Sequence, residues 1–459
     1  MNKILIFATN QNNFSEEDFA LKTSFSRTRK ISFFKIVSTL LSSFNSSYNI
    51  EAFNISGGVS ASSLCDSRYK IKPSVFSKIN THLIKTIINE PLLNKRFKGK
   101  YRVLAVDGTT SLLPDNQSIR KFFGTGKNQH KDYPMAQVAH MVDVLNDWII
   151  GGLIVPYKTA ETEAAYNLIF NQDALQNTEG FTEIYTLDKL YGSTALFYEF
   201  QKKEKYFIIP LKKVFSNTVT EFEQSSATSC LVELPLSGRA MSDLKKKKYE
   251  VSKETRLKLR LVKGIDSTGD PVTLITNIID NQEISDDDIR GLYGLRWGVE
   301  TAFDRIKNIL RLAHYSGNTP EAIKQDFHRK ICLYNLSILL LSVSNLLIQE
   351  KEKLERNNAS EEILEKEKKR ISQLPENKRL KEQTTRQIAN FVVCKDLAIM
   401  AIEEFAEHGT INIDSAQKYI KIGARYSMSN KPKRSFKRVF KAIFIRGRIV
   451  YYSNFKMNS

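Results

Sequence analysis

YGLRWGVETAFDRIK, residues 293–307, sets Tyr293, Arg296, Glu300 and Lys307 at spacings of three, four and seven. At about 100° per residue these four side chains fall within an arc of roughly 60° on one side of a helix. An apolar stripe of Leu292, Leu295, Val299, Phe303, Ile306 and Leu310 runs beside that arc and can seat the helix on a core. Ser285, with Asp288 three residues later, predicts a capping box at the start of the helix. Periodicity alone favours an ordinary amphipathic helix with a solvated charged face. One carboxylate flanked by Arg and Lys, a turn away from an aromatic ring, also suits a place where metal and phosphate meet.

The order Tyr-x2-Arg-x3-Glu-x6-Lys resembles the Tyr-Arg-Glu-Lys signature of DDE transposases of the "insertion sequence 4" family, and Trp297 follows the Arg as in members of that family. Such a protein needs two further acids. YRVLAVDGTTSLLPDNQSIRKFFG, residues 101–124, opens with a short apolar run that reads as a buried strand ending at Asp107. A carboxylate there sits at the carboxyl edge of a sheet, where open α/β sheets bind ligands; an Asp before Gly also commonly caps a turn. The segment is similar to the family's first-Asp motif, including Leu113-Pro114-Asp115 and Phe122-Phe123-Gly124. In TEIYTLDKLYGS, residues 182–193, a second short strand ends at Asp188, with Tyr191 in the family's aromatic place and Leu190 where Gly or Ala is common. Asp173 is the nearest other acid and lies in a predicted helix after ETEAAYNLIF.

The resemblance implies that Asp107, Asp188 and Glu300 are catalytic and hold two Mg²⁺ or Mn²⁺ ions. It also implies that Tyr293, Arg296, Trp297 and Lys307 meet DNA near the scissile phosphate. Carboxylates are the right donors, because hard divalent ions take oxygen ligands and leave positions for phosphate. The six His are scattered at 82, 130, 140, 314, 328 and 408, with no metal-binding spacing. His314, just past the signature, is a candidate to approach DNA. Some relatives hold a flipped base with a Trp in an inserted domain. The two Trp here are Trp148 and Trp297, so either an aromatic such as Tyr249 takes that role or the ends are processed by another route.

Composition agrees with a polyanionic partner. The chain has 459 residues, 41% of them hydrophobic, and a formal net charge of +19. That length predicts roughly two to four domains with a sizeable core, and the charge points to nucleic acid. A membrane surface would also attract a basic chain, but no apolar run reaches the roughly 18–20 residues of a spanning helix. Cys65, Cys230, Cys332 and Cys394 lack paired spacing and favour a reducing compartment. The expected setting is therefore the bacterial cytoplasm, on DNA and not in a membrane, and the family suggests a homodimer in a synaptic complex with transposon ends and target.

The expected fold is α/β: a ribonuclease-H-like catalytic core interrupted by a β-rich insertion, with helical N- and C-terminal regions. Residues 1–98 read as a helical, basic head that either recognises element ends or caps the core. Residues 99–205 and 280–345 read as the core, 206–279 as the insertion, and 346–459 as a helical, basic C-terminal region. Residues 135–145 and 148–155 predict two strands joined by a tight turn at Asn146-Asp147. Strand, strand, strand, helix, strand is the opening order of a ribonuclease-H-like fold. Lys245 to Lys248 read as a solvated loop or a phosphate contact, and residues 349–383 as an exposed charged arm. The tail at 431–448 carries eight Lys or Arg and no acid, interleaved with Phe436, Phe440 and Phe444. Lys433, Arg434, Lys437 and Arg438 are its candidate phosphate contacts. Two other functions remain open from sequence: a catalytically inactive DNA-binding relative, and a metal-dependent nuclease that cuts without joining.

Overall fold

A computed structural model describes residues 1–43, 48–55, 58–127, 132–171, 182–212, 214–266, 269–358, 386–430, 442–445 and 448–451. The chain forms two compact units, one of residues 84–308 and one of residues 1–83 with 309–459. The sequence reading divides the chain at 98/99, 205/206, 279/280 and 345/346.

The 84–308 unit is built on strands β1 (Tyr101–Leu112), β2 (Thr125–Lys127), β3 (Asp132–Asp143), β4 (Trp148–Pro156), β5 (Thr182–Thr186), β6 (Tyr206–Pro210), β7 (Ser229–Pro235), β8 (Arg256–Ile265) and β9 (Pro271–Thr276). They make one mixed sheet of nine strands in the order β2-β3-β1-β5-β6-β9-β8-β7, with β4 also pairing β3. Neighbours β1, β5 and β6 run parallel, and the remaining pairs are antiparallel. Val103 to Val106 are fully buried, as a strand covered on both faces requires. β3 and β4 form the expected hairpin, and Asp147 takes the left-handed backbone that its turn needs (φ 61°).

All four strands expected between 206 and 279 are present, and they continue the same sheet. β6 joins β5 in parallel, so Tyr206–Pro210 belongs with the parallel strands at the centre. β9, β8 and β7 follow it antiparallel. Lys245 and Lys246 end the helix Gly238–Lys246 and so do not lie in a loop. Lys247 Nζ pairs with the buried Glu199 carboxylate at 3.1 Å, which removes that lysine from the free basic surface.

The other unit is mainly helical, but its C-terminal part is not the all-helical region that the sequence reading expects: Arg386–Ala389 pairs with Ser427–Asn430, and Ala442–Ile445 with Arg448–Tyr451, as antiparallel strands. Its central helix, Pro320–Asn358, packs against Phe33–Ser42, Phe391–His408 and Ile413–Arg425. Over Pro320–Glu355 it is long and apolar enough by length and composition to cross a membrane, contrary to the sequence expectation. Of its most apolar window 72% is buried inside the protein, as a core helix would be. Asp173, Lys433, Arg434, Lys437, Arg438 and most of the 349–383 stretch lie outside the described residues.

Candidate active site

Backbone register brings the two aspartates together. In the parallel pair β1/β5, Ala105 stands opposite Thr186, the last matched position. Asp107 and Asp188 each lie two residues further on. With a side-chain period of two and strands about 4.8 Å apart, both carboxylates emerge on the same face of neighbouring chains. Asp107 does not end its strand, as the sequence suggested. β1 runs on to Leu112 because β3 keeps pairing with it, with His140 opposite Asp107 and Met135 opposite Leu112. Asp188 does leave its strand: its carboxylate caps the short 3₁₀ turn Lys189–Tyr191 by accepting from the Leu190 N–H at 3.3 Å.

The signature helix is not the single regular helix that its periodicity predicts. Ser285 and Asp288 form the expected capping box and open the helix Asp286–Gly294. The chain then tightens: Arg296 N–H donates to the Tyr293 carbonyl and Val299 N–H to the Arg296 carbonyl, both i to i−3 bonds. A second helix, Trp297–Asp304, follows, and the turn Arg305–Ile309 is a π-turn. Tight winding followed by loose winding rotates the faces, so Leu295 leaves the apolar stripe and is exposed, while Leu292, Val299, Phe303 and Ile306 stay buried. Phe303 packs edge-on against His140 at 4.8 Å, seating this helix on β3. Gly298 allows the close approach, since a Cβ there would lie 3.2 Å from the Val144 side chain.

This geometry delivers the signature residues to the aspartates. Arg296 donates to Glu300 at 3.2 Å. Burial works against the Arg296 charge, but Tyr293, Asp188, Glu300 and Asp107 together outweigh it and hold the guanidinium charged. Tyr293 is half-buried; burial raises its phenol, with Arg296 pulling the other way. Lys307 Nζ donates to Thr109 Oγ1 at 2.5 Å, bringing the ammonium to β1 two residues from Asp107. Trp297 is half exposed on the same helix.

Asp107 itself accepts from the Gly108 N–H at 2.9 Å. Burial, and then the neighbouring Glu161 and Asp188, push its carboxyl up to about 6 against the opposing pull of Gly108 and Arg296. Glu161, the first residue of the helix Glu161–Phe170, is a site neighbour that the sequence reading missed. An acid in a first helical turn is ordinary, and no spacing in ETEAAYNLIF separates it from Glu163.

As oxygen donors beside a surplus of negative charge, Asp107 and Asp188 suit a hard divalent cation. Among the described residues no group of three or more His, Cys, Asp or Glu stands close enough to hold one ion. Glu300, whose carboxylate is engaged by Arg296, does not complete such a set.

A family model described as a transposase DDE domain matches residues 98–336, just over half of the chain. Among solved structures the chain is similar to a piggyBac transposase synaptic complex with hairpin DNA, at 10% identity and a TM-score of 0.40, over 92% of this chain and 85% of that one. No curated protein matches.

Proposed function

This chain belongs to the transposase DDE-domain family, and on that premise we propose that it cuts DNA at the ends of a mobile element and joins them to target DNA by a cut-and-paste route. The observation that carries the reading is that the β1/β5 register brings Asp107 and Asp188 side by side while Lys307 reaches Thr109 on β1 and Arg296 holds Glu300 on the same helical stretch. Three acids far apart in sequence, gathered about one arginine, fit a centre that handles phosphodiesters. The Tyr293, Arg296, Glu300, Lys307 spacing supports assignment to the "insertion sequence 4" family. The order β1, β3, β4, helix, β5 supports a ribonuclease-H-like core, with the antiparallel strands β7 to β9 added to it.

In this reading Asp107 and Asp188 hold the divalent metal, Mg²⁺ or Mn²⁺, and Glu300 joins them once it is released. Two such ions, when bound, stabilise the attacking and leaving oxygens of an in-line displacement. The protein's own part is positioning. Arg296 exchanges the Glu300 carboxylate for a backbone phosphate, which a guanidinium grips bidentately. That exchange frees Glu300 at the moment substrate arrives. Lys307 adds a point charge beside Asp107, and Tyr293 and Trp297 offer rings to the bases or sugars. The net charge of +19 supports DNA as the partner. A homodimer acting in a synaptic complex, in the bacterial cytoplasm, completes the proposal.

The test is Mg²⁺-dependent cleavage of DNA carrying the flanking element ends, comparing wild type with Glu300→Ala. Cutting at the element boundary followed by joining to target, both lost in the variant, is the expected result. Cutting without joining would point to a nuclease. Binding without cutting would point to an inactive DNA-binding relative, and equal cutting by both proteins would remove Glu300 from the active site.

A further inference from the structure

We propose that Glu161 is a positioning residue that ties the two aspartate-bearing segments to each other. The inference rests on the reading of Asp107 and Asp188 as the cleaving pair. On one side, the Tyr191 hydroxyl donates to Glu161 Oε1 at 3.1 Å. Tyr191 is 3% exposed and closes the 3₁₀ turn that Asp188 caps, with its own N–H donating to the Asp188 carbonyl at 3.0 Å. Any shift of the Tyr191 ring is therefore passed to the Asp188 backbone. On the other side, the Glu161 stem lies against Gly108, the residue after Asp107. A Cβ at Gly108 would stand 2.3 Å from Glu161 Cγ and 2.8 Å from Cδ, so no larger residue fits while Glu161 keeps this place.

The helix that carries Glu161 is a firm support. Ala164, Ala165, Leu168 and Ile169 are buried, and the helix packs on β1 and β3. If Glu161 served only to favour the helix start, it could point to solvent, as its exposed neighbour Glu163 does. Instead it lies against Gly108 and accepts from a buried phenol. A carboxylate with both of these contacts is holding something in place. What it holds is the spacing between residues 107–108 and 188–191.

The experiment uses the full-length protein with Glu161→Ala, Glu161→Gln, Tyr191→Phe and the Glu161→Ala/Tyr191→Phe double variant. Each is measured for turnover and KM on flanking-end DNA with Mg²⁺, and for Tm. Misplacing one carboxylate by about an ångström predicts a fall in turnover of about 10- to 100-fold for Glu161→Ala and Tyr191→Phe, with KM for DNA little changed. The double variant falls no further than the worse single one, in turnover and in Tm alike. Glu161→Gln, which still accepts from Tyr191, stays within about threefold of wild type.

Additive losses would overturn the tie, and so would full turnover in Glu161→Ala. A Glu161→Gln variant as impaired as Glu161→Ala would overturn it too, because the charge and not the hydrogen bond would then matter. If Glu161→Ala does not fold, Tyr191→Phe removes a single oxygen and carries the test by itself, with unimpaired turnover refuting the tie. If wild type cuts no DNA, the functional reading fails, and the Tm cycle still decides the contact: non-additive losses support it and additive losses refute it.

Discussion

Asp107, proposed above as a metal ligand, stands where burial works against its charge. Its carboxyl is pushed from the ordinary 3.8 up to about 6 by burial and then by Glu161 and Asp188. Between those two values the folded protein holds a proton that the unfolded chain has released. Stability of the metal-free protein is therefore lost as pH rises from about 4 to about 6, the reverse of the usual salt-bridged aspartate. Asp107→Asn removes that cost. At pH 7 the variant should be more stable than wild type by about 1–2 kcal/mol, less than the full shift implies because the side chain is only partly buried. The advantage should vanish near pH 4. Denaturant melts of both proteins at pH 4 and pH 7 check this, and a variant less stable than wild type at pH 7 would refute it.

At the scale of elements, the winding changes between 293 and 309. A regular helix would keep Tyr293, Arg296, Glu300 and Lys307 on one face and Leu295 on the apolar stripe beside it, whereas Leu295 is exposed here. Tight winding at Arg296 and the π-turn at Arg305–Ile309 bring Lys307 onto Thr109. π-turns are rare and frequently mark functional places. The helix Trp297–Asp304 passes close to Val144 at Gly298, where a Cβ would stand 3.2 Å from that side chain and leave no room for a branched residue without movement. Gly298→Val should push this helix off Val144, lowering turnover about 10- to 100-fold while the circular dichroism spectrum keeps its helical signal. Wild-type turnover in that variant would show that the approach does not matter. The tetralysine segment gives the opposite lesson: Lys247 is committed to Glu199 and belongs to the fold.

Across the whole chain, a buried ion network joins distant parts of the helical unit. Asp326 is fully buried and pairs with Arg68 at 2.9 Å and Arg329 at 2.7 Å. Burial alone would raise its carboxyl, but Arg68, Arg329 and Lys330 hold it well below the usual carboxylate range. The Ser316 N–H also donates to it, at 2.6 Å. Arg68 lies in the basic N-terminal stretch that the sequence offers as a reader of element ends, and it is spent inside the protein. Removing one partner leaves buried charges uncompensated, so Asp326→Ala should cost about 3–5 kcal/mol in denaturant unfolding. The folded pKa being depressed, this contribution is complete above about pH 4 and is lost as pH falls below it. A cost under about 1 kcal/mol would mean that the network is dispensable.

By itself the sequence determined what near neighbours decide. The central strands are written in unbroken apolar runs, the Ser285–Asp288 cap in a four-residue pattern, and the β3/β4 hairpin in the residues that surround its turn. Asp107, Asp188 and the four signature residues stood out as candidates through short motifs that resemble a family's, while the strand end expected at Asp107 and the single regular helix expected at 293–307 did not form. Tertiary structure alone decided which of these groups meet. The parallel register of β1 and β5 aligns residues 81 positions apart, and Lys307 finds Thr109 across 198. Arg68 finds Asp326 across 258. No local periodicity encodes such pairings, because they follow from how whole elements bury their apolar faces against one another. For the same reason Glu161 looked like any acid at a helix start until packing laid it against Gly108 and under Tyr191.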